Sequence, residues 1–410
     1  MAKRVVITGI GAITPIGNTA PEYFEALKEG KCGIDLISRF NTEQSKCKVA
    51  AEVKDFDPSS CFDKLSRGKT DLYVQYAVCA AKEAVDDSGI LGNIDSNEFG
   101  VYVGSGVGGI NTLCEEDAKM AKLGPKIVSP HFIAKMIINI AAGQIAIRFG
   151  AHGPAMCVAT ACATGTTAIG EAYRAIRDGY MSAAICGGTE ASVNPLAIAG
   201  FVNCMALSQA TDPNEASLPF DSRRAGFVLG EGAAILILEE YEHAVARGAK
   251  IYAEVCGYGA TCDAHHITAP DPEATQTTRA IAQAMDGIEY DPATTYVNAH
   301  GTGTKLNDKT ETLAYKTFFG EDAKKVHVSS TKSMTGHMLG AAGAAEALAC
   351  VLALNENVVP PTINLLSPDP ELDLDYTPNT ALKTQIDTAV STSLGFGGHN
   401  ACLVLKKVKA

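Results

Sequence analysis

The sequence predicts an α/β protein with strands buried on both faces, and three observations carry that prediction. Short apolar runs rich in β-branched residues recur at 4–8, 100–103, 183–186, 233–238, 251–255, 295–298, 326–329, 389–393 and 401–405, with helical segments between them. The runs lack apolar/polar alternation, as in strands covered by helices, which implies a mostly parallel sheet. The 410 residues are 46% hydrophobic, enough for one large core or two smaller ones.

Lys3-Arg4 followed by an apolar run to residue 16 has the look of a signal peptide. Gly9, Gly11, Pro15 and Gly17 interrupt it and no A-x-A site follows, so a first buried strand and turn is expected. After Cys162, Ala168, Ile169, Ala172, Ala175 and Ile176 keep a 3.6-residue period until Gly179, which predicts a helix. The charged helical stretch 241–247 is closed by Gly248, and a new strand follows, so a boundary is placed between 1–250 and 251–410. Asp308-Lys309-Thr310-Glu311 has capping-box spacing and predicts a helix start. Residues 338–354 are apolar apart from Glu346, include Gly340 and Gly343, and are too short to span a membrane. Each half shows a strand, a turn with a reactive residue and an Ala/Gly-rich helix, from Cys162 onward and from His337 onward. That echo predicts a duplicated α/β unit with a site at the seam.

With 34 basic against 46 acidic residues the net charge is −12, which argues against a general nucleic-acid binder. The thirteen cysteines are scattered through apolar segments, as expected of buried thiols in a reducing, cytoplasmic compartment.

Three junctions carry chemistry. Cys162, in Thr160-Ala161-Cys162-Ala163-Thr164-Gly165, begins the predicted helix, where free N–H groups and the positive end of the helix dipole favour thiolate. His300, in Asn298-Ala299-His300-Gly301-Thr302-Gly303, ends a strand, and Lys332 and His337 lie in Lys332-Ser333-Met334-Thr335-Gly336-His337. Two neutral imidazoles can donate hydrogen bonds to one carbonyl oxygen. Glu346 in its apolar helix needs a buried partner, and Lys332 is the candidate. Gly395-Phe396-Gly397-Gly398 lets backbone N–H groups approach an oxyanion. Gly104-Ser105-Gly106-Val107-Gly108-Gly109 fits the dinucleotide fingerprint, but Ser129-Pro130 stands where the acidic partner should be. A glycine-rich wall of an acyl pocket is the preferred reading.

Together with Val5-Val6-Ile7-Thr8-Gly9-Ile10-Gly11 and Pro219-Phe220-Asp221-Ser222-Arg223-Arg224-Ala225-Gly226-Phe227, these motifs resemble the β-ketoacyl-acyl-carrier-protein synthases of the thiolase superfamily. The likeness covers nearly the whole chain and is closest to the synthase II branch of bacterial type II fatty acid synthesis. It implies a five-layer α-β-α-β-α fold of two duplicated halves, a homodimer, and acyl carrier protein in acyl and malonyl forms as partner. It assigns Cys162 as nucleophile and His300 and His337 to malonyl decarboxylation. Lys332 with Glu346 sets the field around them, and Phe396 serves as oxyanion-hole donor and gate. Val107, Phe132, Ile133 and Phe201 are expected at the acyl pocket. Lys64, Arg67 and Lys69 are expected to dock the acidic carrier, with Met205 where a relative has Arg, and Leu394 stands where Phe is commoner. Asp263, His265, His266 and Thr268 fall in the gate loop. No organic cofactor or catalytic metal is called for; a structural Na+ or K+ near Asn298, Ala299, Glu346, Ser391 and Thr392 is allowed by the resemblance. A polyketide ketosynthase is the alternative. Cys162 argues against a chain-length-factor partner, and His337 against a thiolase or a synthase with Asn in that place.

Overall fold

The computed structural model describes residues 2–408. Its main sheet has ten strands: β1 (Val5–Ile13), β2 (Phe99–Gly104), β3 (Ala155–Met156), β4 (Ala183–Glu190), β5 (Gly232–Glu240), β6 (Ala253–Cys262), β7 (Thr295–Asn298), β8 (His327–Ser329), β9 (Thr388–Gly395) and β10 (His399–Lys406). All nine apolar runs are strands, and the short edge strand β3 is the addition.

Pairing runs β8-β7-β9-β10-β6-β1-β5-β4-β2-β3. Within it β1-β5-β4-β2-β3 and β6-β10-β9-β7-β8 are the same order, with the same parallel and antiparallel pairs, so the duplication anticipated from the two reactive turns is built into the topology. A short antiparallel contact of Val5, Val6 and Ile7 with Val255, Glu254 and Ala253 joins the repeats.

The sheet is mixed, which corrects the mostly parallel expectation. β1, β4, β5, β6, β9 and β10 make antiparallel neighbours, and only β2 and β7 with their flanking strands are parallel. The antiparallel strands are also covered on both faces, β1 and β4 being buried throughout, so they lose the alternation that normally marks such pairs.

Six helices make the remaining layers: α1 (Leu72–Ser88), α2 (Ile140–Phe149), α3 (Thr164–Arg177), α4 (Thr275–Met285), α5 (Lys305–Phe319) and α6 (Ala342–Glu356). α1 and α2 cover the outer face of the first repeat, and α4 covers that of the second with α5 packed on it. α3 and α6 lie together between the repeats, α3 ending at Arg177, just before Gly179. Their small residues permit this approach: a Cβ on Gly165 would sit 2.6 Å from the Ala344 nitrogen, and one on Gly343 2.0 Å from the Thr166 hydroxyl. The apolar run Leu339–Glu356 is long enough by composition to cross a membrane, longer than the sequence reading allowed, yet 89% of it is buried in this central layer. Each large aliphatic side chain enclosed here contributes about 1.5–3 kcal/mol.

Candidate active site

Cys162 occupies a 3-10 turn, Ala161–Ala163, that runs directly into α3. Ala161 holds a φ of 50°, a strained value for a residue with a Cβ, at the bend that presents the thiol. Gly395 packs against this turn: a Cβ there would lie 2.5 Å from the Thr160 oxygen and 3.2 Å from the Cys162 nitrogen. The N–H of the following residue, Phe396, favours the ionised form of the Cys162 sulfur.

His300 leaves the end of β7. Its N–H and that of Gly301 donate to the two oxygens of Glu311, at 2.6 and 2.8 Å. Glu311 also accepts from the hydroxyls of Tyr315 and Thr392, at 2.6 and 2.7 Å. One turn earlier Asp308 accepts the N–H groups of Phe220 and Gly303. These two carboxylates therefore do not form the capping box expected at a helix start. α5 already begins at Lys305, and both acids turn inward to fix the His300 loop.

Lys332 starts the short helix Lys332–Thr335 after β8 and is 1% exposed. Its ammonium donates to the Glu346 carboxylate of α6 and to His300 Nδ1, at 3.3 Å. The second bond leaves the neutral His300 ring with its proton on Nε2. His337 is held through its backbone, N–H to Val228 and carbonyl from Gly230, at 2.7 and 2.8 Å. Its ring meets that of His300 edge-on at 5.2 Å and lies 5.0 Å from Phe227.

Burial dominates the electrostatics. It pushes the Cys162 thiol up to about 12, against the opposing pull of Lys332 and the Phe396 N–H. Burial thus opposes the thiolate that the helix start favours. Burial, then the Lys332 charge, hold His300 and His337 well below the ordinary imidazole value, so both are neutral at physiological pH. Burial raises Glu346 to about 7 despite its lysine.

Cys162, His300 and His337 line one cavity of about 500 Å³, together with Phe201, Phe396, Leu394, Met205, Asp263 and Thr268. His265 and His266 are exposed on the loop between the last two. That loop is stitched to the glycine run: Asp263 N–H donates to Gly398 O and Gly397 N–H to Ile267 O.

The other acyl-pocket candidates lie elsewhere. Val107, Phe132 and Ile133 do not line the cavity, and Val107 and Ile133 are 36% and 57% exposed. Nor does the glycine-rich run at 104–109 form its wall. Buried Glu190 draws that loop inward, accepting from the Ser105 hydroxyl, Gly106 N–H and Gly340 N–H. Lys64, Arg67 and Lys69 are exposed on and beside the short helix Lys64–Gly68. Asn298 and Ser391 are register partners on β7 and β9, beside Ala299 and Thr392. Among the described residues, no group of three or more His, Cys, Asp or Glu is placed to hold a metal.

Sequence reasoning missed Glu311, Asp308, Glu190 and Phe227. The i,i+3 spacing of the first two was visible, and continuing the helix back to Lys305 would have turned them toward His300.

The fold and this cavity can be set beside known proteins. The family profile described as "Beta-ketoacyl synthase, N-terminal domain" matches residues 2–244, and the one described as "Beta-ketoacyl synthase, C-terminal domain" matches 252–366. The chain belongs to the β-ketoacyl synthase family. It is similar to β-ketoacyl synthases named 3-oxoacyl-[acyl-carrier-protein] synthase 2: 50% identical to that of Synechocystis over 99% of this chain and 98% of the relative, and 48% identical to that of Staphylococcus aureus over 100% and 99%. Among solved structures, the ishigamide ketosynthase/chain length factor superposes with a TM-score of 0.93 at 36% identity, covering 100% of both chains. A type II polyketide-synthase acyl carrier protein in complex with its ketosynthase bound to the hexaketide gives 0.92 at 34%, also over 100% of both. The five-layer, thiolase-like architecture of this chain is that of a ketosynthase.

Proposed function

We propose that this β-ketoacyl synthase condenses acyl-[acyl carrier protein] with malonyl-[acyl carrier protein] through an acyl-Cys162 thioester, elongating a fatty acid by two carbons. The observation that carries the reading is the convergence of one thiol and two neutral imidazoles, delivered from the two repeats, on one cavity.

In the first half-reaction the Cys162 sulfur forms a bond to the acyl carbonyl carbon, the carbon–sulfur bond to the carrier breaks, and the thiol proton passes to the departing thiolate. The Cys162 and Phe396 N–H groups face the oxygen that becomes negative. In the second, the bond from the malonyl α-carbon to its carboxylate breaks and carbon dioxide leaves. The electron pair moves into a thioester enolate, whose oxygen accepts from the His300 and His337 rings. The enolate carbon then bonds to the acyl carbonyl and displaces the Cys162 sulfur as a thiolate, which takes up one proton from solvent to restore the thiol. Neutral donors fixed in a water-poor cavity stabilise the growing charge without solvent reorganisation. Phe396, whose ring lies 6.5 Å from that of Phe201, gates the acyl chain.

The basic trio Lys64, Arg67 and Lys69 supports docking of an acidic carrier, although Met205, 86% exposed, supplies no charge at the cavity mouth. A homodimer accounts for the exposure of Val107 and Ile133. A monovalent cation fits behind His300, where Asn298 Oδ1, Ser391 Oγ and Glu346 Oε2 are buried without hydrogen-bond partners. Such an ion would add positive charge beside the His300 loop. A cytoplasmic location fits the free thiols.

The test is incubation with acyl carrier proteins of varied chain length and mass mapping of the labelled peptide. Label on Cys162 is expected, and label elsewhere or none would overturn the mechanism.

A further inference from the structure

The turn before α6 repeats the turn that carries the nucleophile. Ala161–Ala163 runs into α3 and Leu339–Ala341 into α6, each a 3-10 turn whose first residue holds a positive φ, 50° at Ala161 and 45° at Leu339. Gly340 thus stands in the second repeat where Cys162 stands in the first. In the proposed reaction the Cys162 N–H faces a forming oxyanion. The Gly340 N–H already has an anion, the Glu190 carboxylate, at 3.1 Å.

Glu190 is the last residue of β4, as Gly395 is of β9, so each repeat braces the other's turn with the end of its own strand. The side chain is fully buried and accepts four bonds: Oε1 from the Ser192 and Ser105 hydroxyls at 2.8 and 3.2 Å, Oε2 from the Gly106 and Gly340 N–H groups at 2.9 and 3.1 Å. None of these four donors is charged, so the carboxylate is met by dipoles alone. Burial raises Glu190 above the ordinary carboxylate value, and the four donors, which favour the ionised form, oppose it. Glycines make the room. A Cβ on Gly106 would lie 2.8 Å from Oε2, one on Gly340 2.3 Å from the Gly106 nitrogen, and one on Gly188 2.2 Å from the Gly340 oxygen.

The clamped turn continues the segment that presents the second imidazole. Leu339 follows His337 by two residues and packs in one apolar cluster with Cys162 and Phe227. Among the described residues His337 Nδ1 has no hydrogen-bond partner, and the residue is held through its backbone, so the ring goes where the chain puts it. On one side that chain is fixed by Val228 and Gly230, and on the other by the bond from Gly340 to Glu190. We propose that Glu190 is a positioning residue for malonyl decarboxylation, a built-in carboxylate that fills the second repeat's counterpart of the Cys162 turn and so fixes His337 opposite the thiol. The inference rests on the condensation reaction proposed above.

The experiment measures carbon dioxide release from malonyl carrier protein by the full-length protein, wild type beside Glu190→Gln and Glu190→Ala, with calorimetry to check folding. Both variants should lose about tenfold or more in kcat, the equivalent of one charge-assisted bond, with KM for the carrier unchanged. Sodium formate should restore part of the rate to Glu190→Ala and none to Glu190→Gln, whose amide fills the space. An unchanged kcat in folded Glu190→Gln, or a loss confined to KM, would overturn the proposal. So would a fall in kcat that tracks a lowered melting temperature and ignores formate, which would leave Glu190 a role in the fold alone. If neither variant folds, Ser192→Ala decides: loss of one donor should lower kcat by less at unchanged KM, and an unchanged kcat would overturn the proposal. No carbon dioxide from the wild type counts against the condensation reaction itself, whereas normal release by wild type and Glu190→Gln alike counts against Glu190 only.

Discussion

Replacing Lys332 by Met probes the polar axis of the site while keeping side-chain length. The ammonium makes two buried contacts, one to Glu346 and one of 3.3 Å to His300 Nδ1. Losing the second removes a charge-assisted bond worth about 1.5–3 kcal/mol, or roughly 10- to 150-fold in rate if it acts fully in the transition state. Glu346 softens the structural damage, because a carboxyl raised to about 7 takes up a proton near neutrality instead of standing as a bare charge. Lys332 is also the second cause, after burial, of the low His300 value. Its removal raises that value, so His300 charges at higher pH and the acidic limb of the rate profile moves upward. The assay is carbon dioxide release from malonyl carrier protein against pH, in a Cys162→Gln background that isolates this step. Lys332→Arg, which keeps the charge, should recover the position of the limb better than the rate. An unchanged rate together with an unmoved limb in Lys332→Met would refute the electrostatic role.

Cys162→Gln by itself should abolish condensation and retain malonyl decarboxylation; loss of both would mean that the imidazoles depend on the thiol. Gly395→Ala should cut acyl transfer at least tenfold and lower the melting temperature, since its methyl would overlap the Thr160 carbonyl at an overpacking cost of about 1–3 kcal/mol; stopped-flow acylation and calorimetry read the two effects. Burial would raise Asp221, but bonds from Arg223, Ser367 N–H and Leu366 N–H overcome it and hold the group at about 2. A depressed carboxyl stabilises above its unfolded value and loses that contribution as pH falls through the folded one, so Asp221→Asn should lose about 1–2 kcal/mol at pH 7, after discounting for solvent screening, and little near pH 2. Urea melts at the two pH values decide it. Reversing Lys64, Arg67 and Lys69 to Glu should raise KM for carrier protein and flatten its salt dependence with kcat kept, as steady-state kinetics would show.

Much of the fold was legible because covered strands and helices leave strong local marks. The nine strand runs and the helix behind Cys162 followed from apolar content and period, and Glu346 betrayed its partner by being the single charge in the apolar stretch 338–354. Strand direction was not legible, because alternation vanishes when both faces are covered. Asp308 and Glu311 misled for a different reason: their spacing is that of a cap, and only the loop folded over them shows that they bind His300 and Phe220. The glycine run at 104–109 hid its partner Glu190 some eighty residues away. At Cys162 burial works against the helix start, and enclosure is a property of the assembled halves that local sequence does not carry.

The repeated strand order places the Cys162 turn and the Lys332–His337 segment at the same point of each repeat, just before α3 and α6. In the proposed reaction the sulfur nucleophile comes from the first repeat and the two imidazoles from the second, while Phe396, between β9 and β10 of the second repeat, serves the acyl step as well. A substitution at Cys162 can therefore silence acyl transfer and leave the frame, and the step of the two imidazoles, in place. Divergence within such a scaffold can therefore retire one activity at a time, and a chain that has lost its sulfur nucleophile remains a fully formed member of the fold.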